Sequence, residues 1–88
     1  MKKSSKAYKT IGEVAEILEL DSTGNKRNTH TIRYWESEFK QIKPIIINKR
    51  RYYDDKNIDV LKKIKFLLKD KGMTISGVKK QLNEDFFD

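Results

Sequence analysis

The single proline of this 88-residue chain, Pro44, places the strongest constraint on its fold. Proline lacks a backbone N–H and clashes with a preceding helical turn, so a helix before it must end there. Residues 45–47 and 51–53 then have the composition of two short strands, and the Asn48-Lys49 connector suits a tight turn because asparagine tolerates a positive φ. A two-stranded hairpin is only marginally stable alone, so we expect it to pack against the helices on either side of it.

Apolar residues recur at helical spacing on both sides of this hairpin. Four helices are predicted, over residues 11–19, 29–39, 56–71 and 74–82. Thr10 and Glu13 have the spacing of a capping box at the first helix, Asp54 or Asp55 can cap the third, and Gly72 fits a left-handed stop after it. The pattern therefore predicts a mainly α fold with four helices and a small two-stranded β-hairpin.

The expected core consists of the apolar residues on one stripe of each helix. These are Ile11, Val14, Ala15, Ile17, Leu18, Ile32, Trp35, Phe39, Ile58, Leu61, Ile64, Leu67, Leu68, Ile75, Val78 and Leu82. One tyrosine of the 52–53 pair should also point inward, because strand residues alternate between faces. Residues 1–9 are expected to be a flexible basic arm, 21–28 a polar loop, 10–82 the folded domain, and 83–88 an acidic tail.

The charge balance favours a polyanionic partner. Twenty Lys and Arg against thirteen Asp and Glu give a formal net charge of +7, which favours nucleic acid first and an anionic membrane surface second. The alternative is a soluble protein that is merely rich in lysine. No apolar run approaches the roughly 18 residues of a membrane span, and no signal peptide is recognisable, so a cytoplasmic, nucleoid-associated protein is expected.

Catalytic and metal-binding patterns are absent from the sequence. The chain has no cysteine and one histidine, which argues against disulfides, thiolate nucleophiles and zinc sites. The four glycines are scattered, so none forms a phosphate-cradling loop. We therefore expect neither an enzyme nor a cofactor.

The second helix carries the most informative polar face. His30, Arg33, Tyr34 and Ser37 lie at i, i+3, i+4 and i+7, opposite the apolar stripe. An arginine there can donate two hydrogen bonds to a guanine edge in the major groove, or hold a phosphate, and the neighbouring side chains suit the same contacts. The alternative is that Arg33 pairs with Glu36 or Ser37, while Tyr34 shields the core.

The hairpin tip is a second candidate contact. Lys49, Arg50 and Arg51 are consecutive cations at an exposed turn, which can follow a phosphate backbone or enter a minor groove. The alternative is a solvated turn kept polar against aggregation. In the third helix, Lys65 and Lys69 share a stripe that could reach a phosphate or simply face solvent.

These residues together resemble the DNA-binding domain of the MerR family of bacterial transcriptional regulators. The resemblance rests on TIGEVAEIL, then NTHTIRYWESEF, then KPIIINKRRYYDDKNIDVLKKIKFLLKDKGMTISGVKKQL, and covers about residues 9–82. It implies a winged helix-turn-helix, with the second helix in the major groove and the hairpin as the wing. It also implies dimers on near-palindromic sites, with RNA polymerase at the promoter as a candidate partner.

The resemblance assigns roles residue by residue. Arg33 and Tyr34 match the Arg-Tyr pair of the recognition helix, Arg51 the wing arginine, and Tyr53 the aromatic that ends the wing, so Tyr53 joins the candidate DNA-binding residues. Trp35 matches an inward aromatic. The long 21–28 segment replaces a shorter turn, Lys49 stands where a wing often has glycine, and the chain stops before a dimerisation helix.

Three functions remain open from the sequence. The first is sequence-specific binding of double-stranded DNA by a transcriptional regulator. The second is an excisionase-like architectural factor that bends DNA, and the third is a basic module that binds an acidic protein. We expect the isolated chain to be mainly monomeric and to form a homodimer on DNA. Target sequence, effector and sign of regulation are not encoded in these patterns.

Overall fold

The computed structural model describes residues 8–20 and 29–86. Its elements are β1 (Lys9–Thr10), α1 (Ile11–Ile17), α2 (Thr29–Glu38), β2 (Ile45–Ile47), β3 (Arg50–Tyr53), α3 (Asp55–Lys65), a π-helical turn (Phe66–Asp70) and α4 (Ile75–Phe86). The predicted mainly helical fold with a small hairpin is confirmed, and its form is that of a winged helix-turn-helix. The expectations for residues 1–7, 21–28 and 87–88 fall outside the described residues.

Local hydrogen bonds set the helix starts as the sequence predicts. The Glu13 amide donates to Thr10 Oγ1 at 3.2 Å and the Thr10 amide to Glu13 Oε1 at 2.8 Å, which completes the capping box of α1. Asp54 caps α3 by accepting from the Asn57 amide at 3.0 Å. Thr74 accepts from the Gly77 amide at 3.0 Å just before α4.

The hairpin belongs to a larger sheet than predicted. The strand order is β1-β3-β2, with all neighbours antiparallel, so β3 is the central strand. Lys9 pairs with Tyr53 and Thr10 with Tyr52, although Lys9 was expected in the flexible arm. Because Thr10 both ends β1 and caps α1, the first helix starts directly at the sheet.

The buried core matches the predicted stripes with one clear exception. Ile17, expected inside, is 40% exposed. The α1 helix ends at Ile17, and Glu19 adopts a left-handed φ of 57°, which turns the chain. The Leu20 amide then donates to the Ala15 carbonyl at 3.0 Å, and the Leu20 side chain is buried in the core.

The later helices also depart from their expected bounds. The third helix is α-helical only to Lys65, and the following turn is π-helical, with the Lys71 amide donating to the Phe66 carbonyl at 3.0 Å. The left-handed Gly72, at φ 69°, ends this segment as predicted. The last helix begins at Ile75 and runs to Phe86, so residues 83–86 of the expected tail are helical. No helix among the described residues is long and apolar enough to cross a membrane.

Candidate nucleic-acid interface

The α2 helix has one buried and one exposed face, as its periodicity predicts. Ile32 and Trp35 are buried, as is Phe39 directly after the helix. On the other side the four predicted contact residues are all exposed, and Tyr34 presents half of its surface to solvent. These residues, which we call the outer face of α2, are His30, Arg33, Tyr34 and Ser37.

The outer face is not neutralised by the partners that the sequence suggested as an alternative. The Ser37 hydroxyl donates to the Tyr34 carbonyl at 2.7 Å, so it bonds to its own helix. Glu36, the other suggested partner of Arg33, turns to the wing. Arg33 therefore lies on an exposed helical face, and the alternative contact with Glu36 or Ser37 does not form.

Glu36 connects α2 to the wing through two hydrogen bonds. Its Oε2 accepts from Arg51 Nε at 3.0 Å, and its Oε1 accepts from the Tyr53 hydroxyl at 2.9 Å. The side chains of Arg51 and Glu36 are 35% and 15% exposed, so the ion pair is partly shielded from water. Burial, and after it the hydrogen bond to Glu36, raises the pKa of the Tyr53 phenol, which keeps the hydroxyl protonated.

The local sequence does not indicate this link. The position of Glu36 suggests Arg33 on the same helix as its partner, whereas its partners in the structure lie 15 and 17 residues away. The sequence does indicate that Arg51 and Tyr53 share one face, because they are two apart on a strand, but it does not indicate which residue they bind.

The wing presents its cations on different faces. The tip residues Asn48 and Lys49 have φ values of 50° and 68°, as expected for the predicted two-residue turn. Arg51 lies on the face that meets α2, whereas Arg50, one residue earlier, lies on the opposite face. Lys49 and Arg50 are exposed, so the tip carries accessible charge at its apex and on its far side.

Tyr53 and Lys65 lie in different surroundings from the other predicted contact residues. The Tyr53 side chain is fully buried, which confirms that one tyrosine of the pair points inward, and its hydroxyl donates to Glu36. Lys65 is the partly buried last residue of α3. Within the described part of the chain, no hydrogen bond or ion pair joins Lys65 to α2 or to the wing.

A second unpredicted residue, Asn57, fixes the segment between α2 and the wing. Its Oδ1 accepts from the Lys43 amide at 2.6 Å, while its Nδ2 donates to the Lys43 carbonyl at 3.0 Å and to Asp54 Oδ1 at 2.9 Å. The side-chain amide thus pairs with Lys43 as a neighbouring strand would. Asn57 is buried with its polar atoms satisfied, and nothing in the local sequence distinguishes it from an ordinary residue of a first helical turn.

Comparison with known proteins gives one match. A family model described as "MerR HTH family regulatory protein" matches residues 9–85. No curated protein and no solved structure matches the chain. The matched range contains every predicted contact residue and all the elements described above except the last residue of α4.

Proposed function

Because the chain belongs to the MerR family of helix-turn-helix regulatory proteins, we propose that it binds specific double-stranded DNA sequences as a transcriptional regulator. The outer face of α2 enters the major groove, and the wing contacts the flanking backbone or minor groove. DNA binding and regulation follow from the family. The assignment of grooves and contact residues is our proposal.

One observation carries the proposal: the Glu36 link joins the two surfaces. Arg33 lies three residues before Glu36 on α2, and Arg51 of the wing binds Glu36 directly. A single carboxylate therefore holds the exposed helix face and the cationic hairpin in one orientation. A fixed pair of this kind suits a duplex, where base edges and phosphates keep a constant spatial relation.

Within the outer face, Arg33 is the residue that we propose reads a base edge. Its guanidinium can donate two parallel hydrogen bonds to the O6 and N7 of a guanine. His30, Tyr34 and Ser37 supply neighbouring base or phosphate contacts. Two copies bind a near-palindromic site with their recognition helices one helical turn, about 34 Å, apart, and RNA polymerase is the partner at the promoter.

A titration with two readouts tests this proposal. A site is first selected from a random duplex library, and binding to it and to unrelated DNA is measured by fluorescence anisotropy at several salt concentrations. With about 4 to 6 phosphate contacts per protomer, log K against log salt should have a slope of about −4 to −5. Arg33→Ala should reduce discrimination between the two DNAs by roughly 1 to 3 kcal/mol.

The two readouts can fail separately. A salt slope near zero would contradict phosphate neutralisation and with it the DNA role. Equal loss of affinity for both DNAs in Arg33→Ala would show that Arg33 holds a phosphate and does not read a base. Lys80→Ala is the matched control, since this exposed lysine of α4 lies outside the proposed contacts and should leave discrimination unchanged.

A further inference from the structure

We propose that a cavity beside the ends of α2 and α4 binds a small molecule that combines one carboxylate with an apolar body. The cavity has a volume of about 840 Å³, which is within the range of sites for small organic ligands. Its lining comes from the residues that follow α2, the start of α3 and the end of α4. None of the described residues that line it belongs to the proposed DNA contacts, so the inference is independent of the proposed function.

The walls of the cavity are joined by side-chain hydrogen bonds. Gln41 Nε2 donates to Asn83 Oδ1 at 2.8 Å, which connects the segment after α2 to the end of α4. Asn57 connects the same segment to α3, since its side-chain amide pairs with the backbone of Lys43. The contacts of the protein itself therefore shape the cavity, as is usual for small-molecule sites, which are largely formed before the ligand binds.

Lysine supplies the positive charge of the lining. Lys40, Lys43 and Lys56 are exposed, and within the part of the chain that the structure describes no hydrogen bond or ion pair involves their ammonium groups. The lining also contains two carboxylates. One of them, Asp54, is already used to cap α3, and the other, Glu84, is exposed near the end of α4. Because the lysines outnumber the carboxylates, the cavity attracts an anion.

The rest of the lining favours an apolar body on that anion. Most of the lining surface is apolar, although Val60 is the only aliphatic residue among the described residues that form it. The remainder must come from the carbon atoms of polar side chains, as in lysine, whose stem is apolar and whose charge is at the tip. A small hydrated anion would leave this surface in contact with water. An aromatic or aliphatic carboxylate covers it and places its charge near the lysines.

The experiment titrates the full 88-residue chain with three probes: 2-naphthoate, its neutral analogue 2-naphthamide, and acetate, which has the charge without the apolar body. Amide chemical shifts of isotope-labelled protein locate the binding and give the affinity. We expect 2-naphthoate to bind with a dissociation constant of roughly 0.1 to 1 mM, the range that a ligand of this size reaches, and the other two probes to bind more weakly. The shifts should be largest at the side-chain amides of Gln41, Asn57 and Asn83, and small on the outer face of α2.

Lysine-to-methionine substitutions separate charge from apolar contact, because methionine keeps an unbranched apolar side chain without the charge. Lys40→Met, Lys43→Met and Lys56→Met should each weaken 2-naphthoate binding roughly two- to fivefold, as expected for exposed charge pairs. The triple variant should bind 2-naphthoate no better than 2-naphthamide, since only the carboxylates of the lining remain charged. The matched control is Lys62→Met, which changes an exposed lysine of α3 outside the lining and should leave 2-naphthoate binding unchanged.

The outcomes that contradict the inference are distinct. Shifts that are absent from the cavity residues with 2-naphthoate would overturn it. Equal binding of 2-naphthamide would overturn the role of the lysines, and equal binding of acetate would overturn the role of the apolar lining. A loss in Lys62→Met as large as in the cavity variants would assign the binding to the overall charge of +7 and overturn the site. Since no DNA is present, each of these results leaves the proposed DNA binding intact.

Discussion

Glu36 and Glu38 lie two residues apart on α2, yet their surroundings differ. Glu36 accepts hydrogen bonds from the partly shielded Arg51 and the buried Tyr53, whereas Glu38 forms a 2.9 Å ion pair with Lys79 of α4. The Glu38 pair is more open to water than the Glu36 pair, with 44% of the Lys79 side chain and 31% of the Glu38 side chain accessible. Exposed pairs contribute little to stability because water and salt screen them, whereas a buried hydroxyl left without a partner is costly.

This contrast gives a prediction at the residue scale. Glu36→Ala should lower the free energy of unfolding by about 1 to 3 kcal/mol, because the Tyr53 hydroxyl stays buried without an acceptor. Glu38→Ala, the matched control, should cost less than about 1 kcal/mol. Urea denaturation followed by circular dichroism measures both.

A double mutant measures how much the hydrogen bond between Glu36 and Tyr53 contributes to stability. Tyr53→Phe removes the hydroxyl that Glu36→Ala leaves without a partner, so the two changes together should cost less than the sum of the single changes. Strict additivity would show that the hydrogen bond between Glu36 and Tyr53 contributes nothing measurable.

At the scale of elements, the sequence predicts best what local chemistry decides. The capping box at Thr10, the Asp54 cap and the left-handed Gly72 each depend on residues within a few positions, and all three are confirmed. The buried stripe of α2 follows from helical periodicity in the same way. These features can be predicted from the sequence because the residues that form each sequence pattern also form the corresponding structure.

The features that the sequence does not reveal depend on tertiary contacts. Strand β1 has only two residues, too few for an alternation pattern, and it exists because β3 offers an unpaired edge. Glu36 and Asn57 bind partners 14 to 17 residues away, which no local pattern reports. Ile17 is exposed at the end of α1, and the chain turns two residues later at Glu19, where a glutamate occupies a left-handed position that usually holds glycine.

Because α2 has one buried and one exposed face, its two adjacent aromatic residues should differ in how much they contribute to stability. Trp35 is almost completely buried, whereas Tyr34 is half exposed. Trp35→Ala should cost about 3 to 5 kcal/mol, a large share of the roughly 5 to 15 kcal/mol of a typical domain. Tyr34→Ala should change stability by no more than about 0.5 kcal/mol. Thermal melting followed by circular dichroism checks this, and a wild-type melting curve for Trp35→Ala would contradict the assigned face.

At the scale of the whole molecule, the apolar residues are largely used in one core. Residues from all four helices and Tyr53 of the sheet form a single buried cluster. The large apolar side chains that remain exposed within the described residues are spread over different elements: Tyr8, Ile17, Tyr34, Ile46, Ile47 and Phe66. Scattered residues of this kind are normal on a monomer, whereas a stable interface needs a contiguous patch.

We therefore expect the free 88-residue chain to be mainly monomeric. Its formal charge of +7 adds repulsion between copies at low salt. Sedimentation velocity at micromolar concentration measures the state of the free chain, and the same measurement with a selected duplex should give two copies per near-palindromic site. A predominant dimer without DNA would contradict the prediction and point to an interface on α4.

The central position of β3 affects how this protein can accommodate different binding sites. β3 is hydrogen-bonded along both edges, to β1 and to β2, and its residues Arg51 and Tyr53 are tied to α2. These bonds hold α2 and the wing in one relative orientation. In the binding mode that we propose, a duplex whose groove spacing differs from this distance has to twist or bend to fit, so we expect the affinity to depend on the deformability of the DNA.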